Sequence, residues 1–333
     1  MKPLSSSLPT RYILPLAVSI MLTLVSCGEN STPELSDGVF AFVADDDTLE
    51  ATSLLQKPLY RSSIGADARA KMVSQAEDAR QQWLKYPNAV DSYVWYGRRL
   101  AYLGRYRDAI EVYTKGLEIF PGEPHLLRHR GHRYVTTRNL DAAIADFEKA
   151  AETTSGQPDE VEPDGQPNAA GIPTSTLQTN IWYHLGLAHY LKGHFDDAVQ
   201  AFQVCFDLAE NNDMRVAAAD WLYMSLRRAG WHDEANRAIE FVSSDLEVIE
   251  NDSYLQRLLM YRGLSEDAGL GDAVAENSDD IALATLGYGV GNWYLLEGSE
   301  ERAHEVFQNV LNTGSWAAFG FIASESEIAR VTE

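Results

Sequence analysis

The feature that most constrains the fold is a pattern of small and aromatic residues in residues 90–123, which recurs in the next stretch of chain. Glycine or alanine recurs where two helices would cross closely, and an aromatic ring recurs where a neighbouring unit would have to be filled. The matching positions, each 34 residues apart, are Gly97 and Gly131, Ala109 and Ala143, Tyr113 and Phe147, and Gly116 and Ala150. Since one helical hairpin of this length cannot bury its own apolar face, such units must stack. The pattern therefore predicts an all-α solenoid with a concave groove.

The same register returns three more times along the chain. The third unit has Trp182, Leu185, Gly186, Gly193, Phe195, Ala198, Phe202 and Cys205. The fourth is degenerate and has Leu222, Gly230, Ala235 and Ile239, and the fifth has Val290, Gly291, Tyr294, Gly298, Ala303, Phe307 and Val310. This register resembles the tetratricopeptide repeat (TPR) family. The resemblance implies a TPR-type helical-hairpin solenoid of about five repeats plus capping helices.

The chain also resembles a group of bacterial TPR lipoproteins of unassigned role. The likeness is carried by Tyr96–Leu100, His129–Tyr134 and Gly289–Tyr294. It implies an architecture and a cellular location, but it names no reaction.

The N-terminus is typical of an exported, lipidated protein. Lys2 and Arg11 precede an apolar run at residues 12–24, which is too short to span a membrane comfortably. Residues 24–28, with Cys27 at their centre, resemble a bacterial lipoprotein signal in which the peptide is cut before the cysteine and the new terminus receives lipid such as palmitate. The segment predicts a signal peptide at 1–26 and lipidation of Cys27. Gly28 stands where an aspartate would favour the inner membrane, so we expect the outer membrane, facing the periplasm.

Charge and cysteine content limit the possible partners. The chain has 27 basic and 49 acidic side chains, a formal net charge of −22, and the signal segment contributes two basic and no acidic residues. The mature chain therefore has a formal charge of −24 and repels nucleic acid. If Cys27 carries lipid, only Cys205 remains, so no intrachain disulfide can form. Cys205 is expected to pack in the core.

Composition and periodicity divide the rest of the chain. The predicted segments are a lipidated cysteine, flexible tether and irregular lead-in at 27–65, an N-terminal capping helix at 66–89, TPR 1 and 2 at 90–152, a Pro/Gly/acidic insertion at 153–178, TPR 3 at 179–212, a degenerate repeat and acidic linker at 213–283, and TPR 5 with a C-terminal capping helix at 284–330. Glu325, Glu327 and Arg330 are expected to make the outer face of that last helix polar.

The groove is expected to be basic and aromatic although the protein is acidic. In TPR folds the concave wall comes from the first helix of each repeat. On this register its candidate binding residues are Arg98, Tyr102, His125, Arg128, His132, Tyr183, Tyr190, Arg227, Arg228, Tyr288 and Asn292. Guanidinium groups suit carboxylates, and tyrosine faces suit extended peptides. The residues predict a groove for a carboxylate-bearing protein or peptide. The alternative is that these cations pair with the chain's own aspartates and glutamates.

The sequence predicts neither a catalytic residue nor a cofactor nor a metal site. The histidines at 125, 129 and 132 have helical spacing, but no HExxH pattern occurs, and exposed or core-packed histidine is the expected state. A calcium loop at Glu160, Glu162 and Asp164 is disfavoured by Pro163 and by Gly171, which stands where a bidentate glutamate belongs. The function predicted is a non-enzymatic, lipid-anchored scaffold of the cell envelope that binds proteins. The alternative is a peptidoglycan- or carbohydrate-associated accessory protein, with or without catalytic activity.

Overall fold

The computed structural model describes residues 48–163, 165–265 and 280–332, and in them the protein is almost wholly helical. The two strands are β1 (Leu49–Thr52) and β2 (Pro58–Tyr60). The helices are α1 (Ala66–Lys85), α2 (Val90–Tyr102), α3 (Tyr106–Ile119), α4 (Pro124–Thr136), α5 (Leu140–Thr154), α6 (Leu177–Leu191), α7 (Phe195–Leu208), α8 (Asn212–Arg228), α9 (His232–Ala238), α10 (Asp252–Tyr261), α11 (Asp280–Leu296), α12 (Glu300–Asn312) and α13 (Phe319–Thr332). The signal peptide and Cys27 lie outside the described residues. No helix in the described ranges is both long and apolar enough to cross a membrane.

Within the described residues, five helical hairpins follow one another: α2/α3, α4/α5, α6/α7, α8/α9 and α11/α12. Neighbouring hairpins pack on each other, with α10 between the fourth and the fifth. Four of them cross through the same contact, in which a glycine of the first helix meets a ring sixteen residues later in the second. A methyl group on the glycine would lie 2.3 Å from Tyr113 at Gly97, 2.8 Å from Phe147 at Gly131, 2.8 Å from Phe202 at Gly186 and 2.5 Å from Phe307 at Gly291. Only glycine allows this approach. The predicted all-α helical-hairpin solenoid is therefore confirmed, in the predicted register.

The fourth hairpin departs from this rule, in keeping with its degenerate sequence. Tyr223 stands where the other hairpins have glycine, and the aliphatic Ile239 stands where they have a ring. Both side chains are buried, so the large and small partners have exchanged places across the contact. The second helix, α9, is correspondingly short.

The N-terminal lead-in is ordered rather than irregular. Residues 49–60 form an antiparallel hairpin, and Arg61 returns to bind Glu50 at 2.6 Å in a buried ion pair. Glu50 also accepts a hydrogen bond from the backbone N–H of Arg107 at 3.0 Å. The hairpin is held by these contacts with distant residues, which the local composition does not reveal.

The C-terminal helix turns inward instead of presenting a polar outer face. α13 packs on α11, α12 and α6, and Glu325 and Glu327 are only 1% and 5% exposed. Glu325 pairs with Arg138 at 2.7 Å, and Glu327 pairs with Arg228 at 2.8 Å. The expectation of a polar outer face was therefore wrong, because both carboxylates have guanidinium partners on the inner wall.

Candidate functional site

The insertion between α5 and α6 lies across the concave wall of the first repeats. We call residues 155–176 the strap. Of its described residues only the Glu162 side chain is buried, and the others are half-buried or exposed. At its ends Asp159 accepts hydrogen bonds from Thr176 Oγ1 at 2.6 Å and from the backbone N–H of Gln178 at 3.0 Å. These hydrogen bonds fix the ends of the strap. Between them, the Glu162 side chain is buried in the concave wall.

Glu162 is held by groups from three consecutive repeats, which we call the clamp: Arg98 on α2, Arg128 and His129 on α4, and Asn180 on α6. Asn180 Nδ2 donates to Glu162 Oε2 at 3.0 Å. Arg128 Nε lies 3.0 Å from the same oxygen, as a charge contact without hydrogen-bond alignment. His129 Nε2 and Arg98 Nη1 lie 3.3 Å and 4.0 Å from Oε1. The clamp therefore surrounds both oxygens of one carboxylate.

The electrostatics of the clamp favour an anion. Burial, together with the nearby guanidinium groups, holds the pKa of His129 well below its usual range. The ring is therefore neutral, and Arg128 Nη1 lies 2.9 Å from its Nδ1, which leaves the proton on Nε2 facing Glu162. Arg98, Arg128 and Arg133 all act on this imidazole. The Glu162 carboxylate thus faces two guanidinium groups, those of Arg98 and Arg128, and local positive charge remains in an acidic protein.

Beside the clamp, the first repeat carries an aromatic and cationic surface. Arg98 and Arg99 lie over the ring of Trp95, at 4.7 Å and 5.3 Å from its centroid. Arg98 Nη1 donates to the Pro163 carbonyl at 2.6 Å, and Arg99 Nη1 donates to the Gly165 carbonyl at 3.2 Å. Trp95 and Arg99 also line a cleft of about 590 Å³ between α1 and α2. The strap is therefore bound here through two backbone carbonyl groups, which gives affinity without depending on side-chain identity.

The concave positions of the last repeats bind the chain's own C-terminal helix. Tyr288 donates from its hydroxyl to Tyr190 Oη at 2.7 Å, and Tyr190 donates to Asn292 Oδ1 at 3.2 Å. Arg228 pairs with Glu327 of α13, and burial raises the pKa of Tyr288 well above its usual range. These residues form one buried network that α13 covers.

The remaining predicted groove residues also contact the chain itself. His125 lies between Glu123 and Glu160, at 2.8 Å and 3.0 Å. The contacts of the others are Tyr102 with Arg98 at 3.3 Å, His132 with the His184 ring at 4.5 Å, Tyr183 with Tyr254 at 2.8 Å, and Arg227 with Glu297 at 3.0 Å. Arg98 and Arg128 thus belong to the clamp, with Tyr102 beside them. The C-terminal network contains Arg228, Tyr190, Tyr288 and Asn292, whereas Arg227 pairs with Glu297 outside both.

Sequence reasoning did not assign to the groove four residues that complete the site: Glu162, His129, Trp95 and Arg99. The Pro/Gly/acidic composition of the insertion was visible, but its path across the groove depends on tertiary contacts. Glu160 and Glu162, considered for a calcium loop, face His125 and the clamp instead, and Asp164 lies outside the described residues. Cys205 is fully buried, and burial raises the pKa of its thiol far above the usual range.

Two stretches of the chain match a known repeat family. The tetratricopeptide repeat family matches residues 90–123 and residues 179–212. Among solved structures, the chain is similar to a tetratricopeptide repeat protein from Parabacteroides merdae ATCC 43184, with 16% identity over 78% of this chain and 94% of that one and a TM-score of 0.47. It is also similar to YrrB, a TPR protein with an unusual peptide-binding site, with 18% identity over 72% and 93% of the two chains and a TM-score of 0.40. Among curated proteins, no match was found.

The repeated hairpins and the two family matches define the class of fold: the chain contains tetratricopeptide repeats and is built as a helical-hairpin solenoid. Repeats of this family form scaffolds for protein–protein interaction, and that is the general role of this chain.

Proposed function

We propose that the protein is a non-enzymatic scaffold that binds an extended, carboxylate-bearing segment of a partner protein in the clamp. The observation that carries this proposal is the position of Glu162. The strap already crosses the concave wall, with two backbone carbonyls on Arg98 and Arg99 and one carboxylate in the clamp. A partner segment with the same chemistry would make the same contacts.

The strap has the properties of a segment that can be displaced. Apart from Glu162, no described strap residue buries its side chain, so removing the strap from the wall exposes little apolar surface. Its local concentration at the clamp is very high because it is tethered at both ends. A free ligand must therefore compete with it, and weakening the Glu162 contact favours the ligand.

The test uses a labelled peptide with the sequence of residues 157–168, which contains Glu162 and its neighbours. Glu162→Gln removes the charge of the competing strap and leaves its length unchanged. We expect this variant to bind the free peptide at least about ten-fold more tightly than the wild type, measured by fluorescence anisotropy. Glu152→Gln, an exposed change of the same kind on α5, is the matched control and should behave like the wild type.

Two further measurements assign the binding to the clamp. A peptide with glutamine at the position of Glu162 should bind the Glu162→Gln protein weakly, because it lacks the carboxylate. Adding Arg98→Gln to the Glu162→Gln protein should also weaken binding of the acidic peptide. Equal binding of both peptides, or no difference between Glu162→Gln and the wild type, would contradict the proposal.

The proposed location is the bacterial cell envelope, with lipid on Cys27 and the scaffold at the outer membrane facing the periplasm. The signal-like residues 1–26 and the cysteine that follows them support this location. We expect cells supplied with labelled palmitate to label the wild type and not Cys27→Ser. We also expect the wild type to sediment with outer-membrane fractions. Label on the Cys27→Ser protein would contradict a lipid anchor at this residue.

A further inference from the structure

The turn between α6 and α7 places two histidines against each other. Gly193, with φ +79°, ends α6, and its N–H donates to the Tyr190 carbonyl at 2.9 Å. The N–H of His194 donates to the His189 carbonyl, also at 2.9 Å. These two bonds define a Schellman motif, in which the residues corresponding to His189 and His194 usually make an apolar contact. Here both positions carry imidazole rings, whose centroids are 5.8 Å apart.

The two imidazoles at this turn are not repeated at the other four described hairpin turns. Each of the five described hairpins has the same backbone bond across the turn. The residues equivalent to His189, His194 and Asp197 are Leu100, Arg105 and Asp108; Tyr134, Asn139 and Ala142; Leu226, Trp231 and Glu234; and Tyr294, Ser299 and Arg302. Among these turns only α6/α7 combines two imidazoles and a carboxylate. The fold therefore does not require these residues at this turn.

The three side chains are arranged so that one ion can bridge them. A ligand atom from each of His189, His194 and Asp197 lies within 4.8 Å of the other two, and His189 Nδ1 is 4.0 Å from Asp197 Oδ2. Donors bound to a single zinc ion at about 2.0–2.1 Å lie roughly 3.3 Å apart in tetrahedral geometry. His194 and Asp197 are exposed, so their side chains can close the remaining distance by rotation.

His189 supplies the fixed ligand of the set. Its side chain is 12% exposed, and its buried Nδ1 makes no hydrogen bond within the described part of the chain. A buried polar atom without a partner is costly unless something binds it.

We propose that His189, His194 and Asp197 form a binding site for a divalent transition-metal ion of the zinc class. Two imidazoles and one carboxylate, with an open position for water, are a donor set that Zn²⁺ accepts. The site lies at a cleft of about 620 Å³, whose lining includes two more carboxylates, Glu148 and Glu152. Two cations at this turn have other partners: Lys192 pairs with Asp141, and Arg330 donates to the Tyr190 and Leu191 carbonyls and pairs with Glu327. The carboxylates of the cleft therefore favour a bound cation.

The experiment titrates the untagged full chain with ZnCl2 by isothermal calorimetry. We expect one Zn²⁺ per chain, and we expect His194→Ala and Asp197→Asn each to weaken binding by at least about ten-fold. Both residues are exposed, so neither change should disturb folding. Zinc should also raise the Tm of the wild type and have little effect on the Tm of the variants, because only a ligand bound to the folded state stabilises it.

Two exposed residues give matched controls. Asp196→Asn changes the neighbouring carboxylate, and His232→Ala removes an exposed histidine at the start of another helix. Both variants should bind Zn²⁺ like the wild type. Absence of zinc binding to the wild type would overturn the proposal. So would binding that His194→Ala and Asp197→Asn leave unchanged.

Discussion

At the scale of single residues, the most demanding contact is an ion pair that joins α8 of the fourth repeat to α10. Arg257 Nη2 lies 2.8 Å from Asp220 Oδ2, and both side chains are 0% exposed. The guanidinium is further enclosed by the rings of Trp221, Tyr254 and Tyr288. Burying two charges is costly, so the pair is tolerated only because each group neutralises the other.

Removing one member of this pair should strongly destabilise the folded protein. We expect Asp220→Ala to lower the free energy of unfolding by about 3–5 kcal/mol, because it leaves a guanidinium buried without its counter-ion. Urea denaturation gives the value. Glu111→Ala breaks an exposed pair with Lys115 at 2.9 Å and should cost less than about 1 kcal/mol. An equally small decrease in the free energy of unfolding for both variants would contradict this prediction. It would mean that water reaches Arg257 in the folded state.

Two buried histidines, His129 and His184, and the half-buried His132 make stability depend on pH. Burial and nearby guanidinium groups hold the pKa values of His129, His132 and His184 well below their usual range. In the unfolded chain these rings titrate near pH 6.5, so below that pH the unfolded state binds more protons than the folded state. Stability should therefore fall as the pH falls from 6.5, by about 1.4 kcal/mol per pH unit for each ring.

The pH dependence can be assigned with one variant. Urea unfolding at pH 7.5, 6.0 and 5.0 measures the slope, and His132→Gln should reduce it by about one third because it leaves two of the three rings. His304→Gln changes an exposed ring and should leave the slope as it is. A protein equally stable at pH 7.5 and pH 5.0 would show that the buried rings become protonated without unfolding.

At the scale of elements, α13 is the one whose packing is tightest. A methyl group at Gly320 would lie 2.0 Å from the Ala284 carbonyl oxygen, which belongs to the backbone of α11. Since backbone cannot rotate away, Gly320→Ala must push the two helices apart. We expect it to lower the free energy of unfolding by more than about 2 kcal/mol and to speed hydrogen exchange in α13.

A second glycine provides the control for this change. A methyl group at Gly65 meets nothing within 4 Å, and the φ there is −54°, so Gly65→Ala should leave stability and exchange unchanged. Exchange in α13 that Gly320→Ala does not alter would mean that the helix contact is looser than the geometry implies.

The elements also show which parts of the fold could be predicted from the sequence alone. The register of the hairpins was readable, because the glycine-to-ring crossing at Gly97 and Tyr113 recurs at a fixed spacing. The inward packing of α13 could not be predicted, because it depends on the ion pair between Glu325 and Arg138, which are 187 residues apart in the sequence. The same holds for the clamp: Arg98 and Arg128 were identified from the register, but the carboxylate that faces them lies in an insertion without periodicity.

The molecule as a whole is negatively charged, whereas its clamp is positively charged. The chain has a formal net charge of −22, so it repels an acidic ligand at long range. The guanidinium groups of the clamp attract the same ligand, but only over a short range and from partly buried positions. Salt screens the first interaction more than the second, because the Debye length falls from about 10 Å at 0.1 M to about 3 Å at 1 M.

This opposition predicts an unusual salt dependence. For the acidic peptide of residues 157–168 and the Glu162→Gln protein, the association rate constant should rise as salt increases from 0.02 M to 0.3 M. In most steered complexes it falls. Stopped-flow fluorescence measures the rate, and a peptide with its acidic residues replaced by the matching amides gives the uncharged reference, which should be nearly independent of salt. A rate that falls with salt would mean that the clamp, and not the acidic surface around it, controls the approach of the ligand.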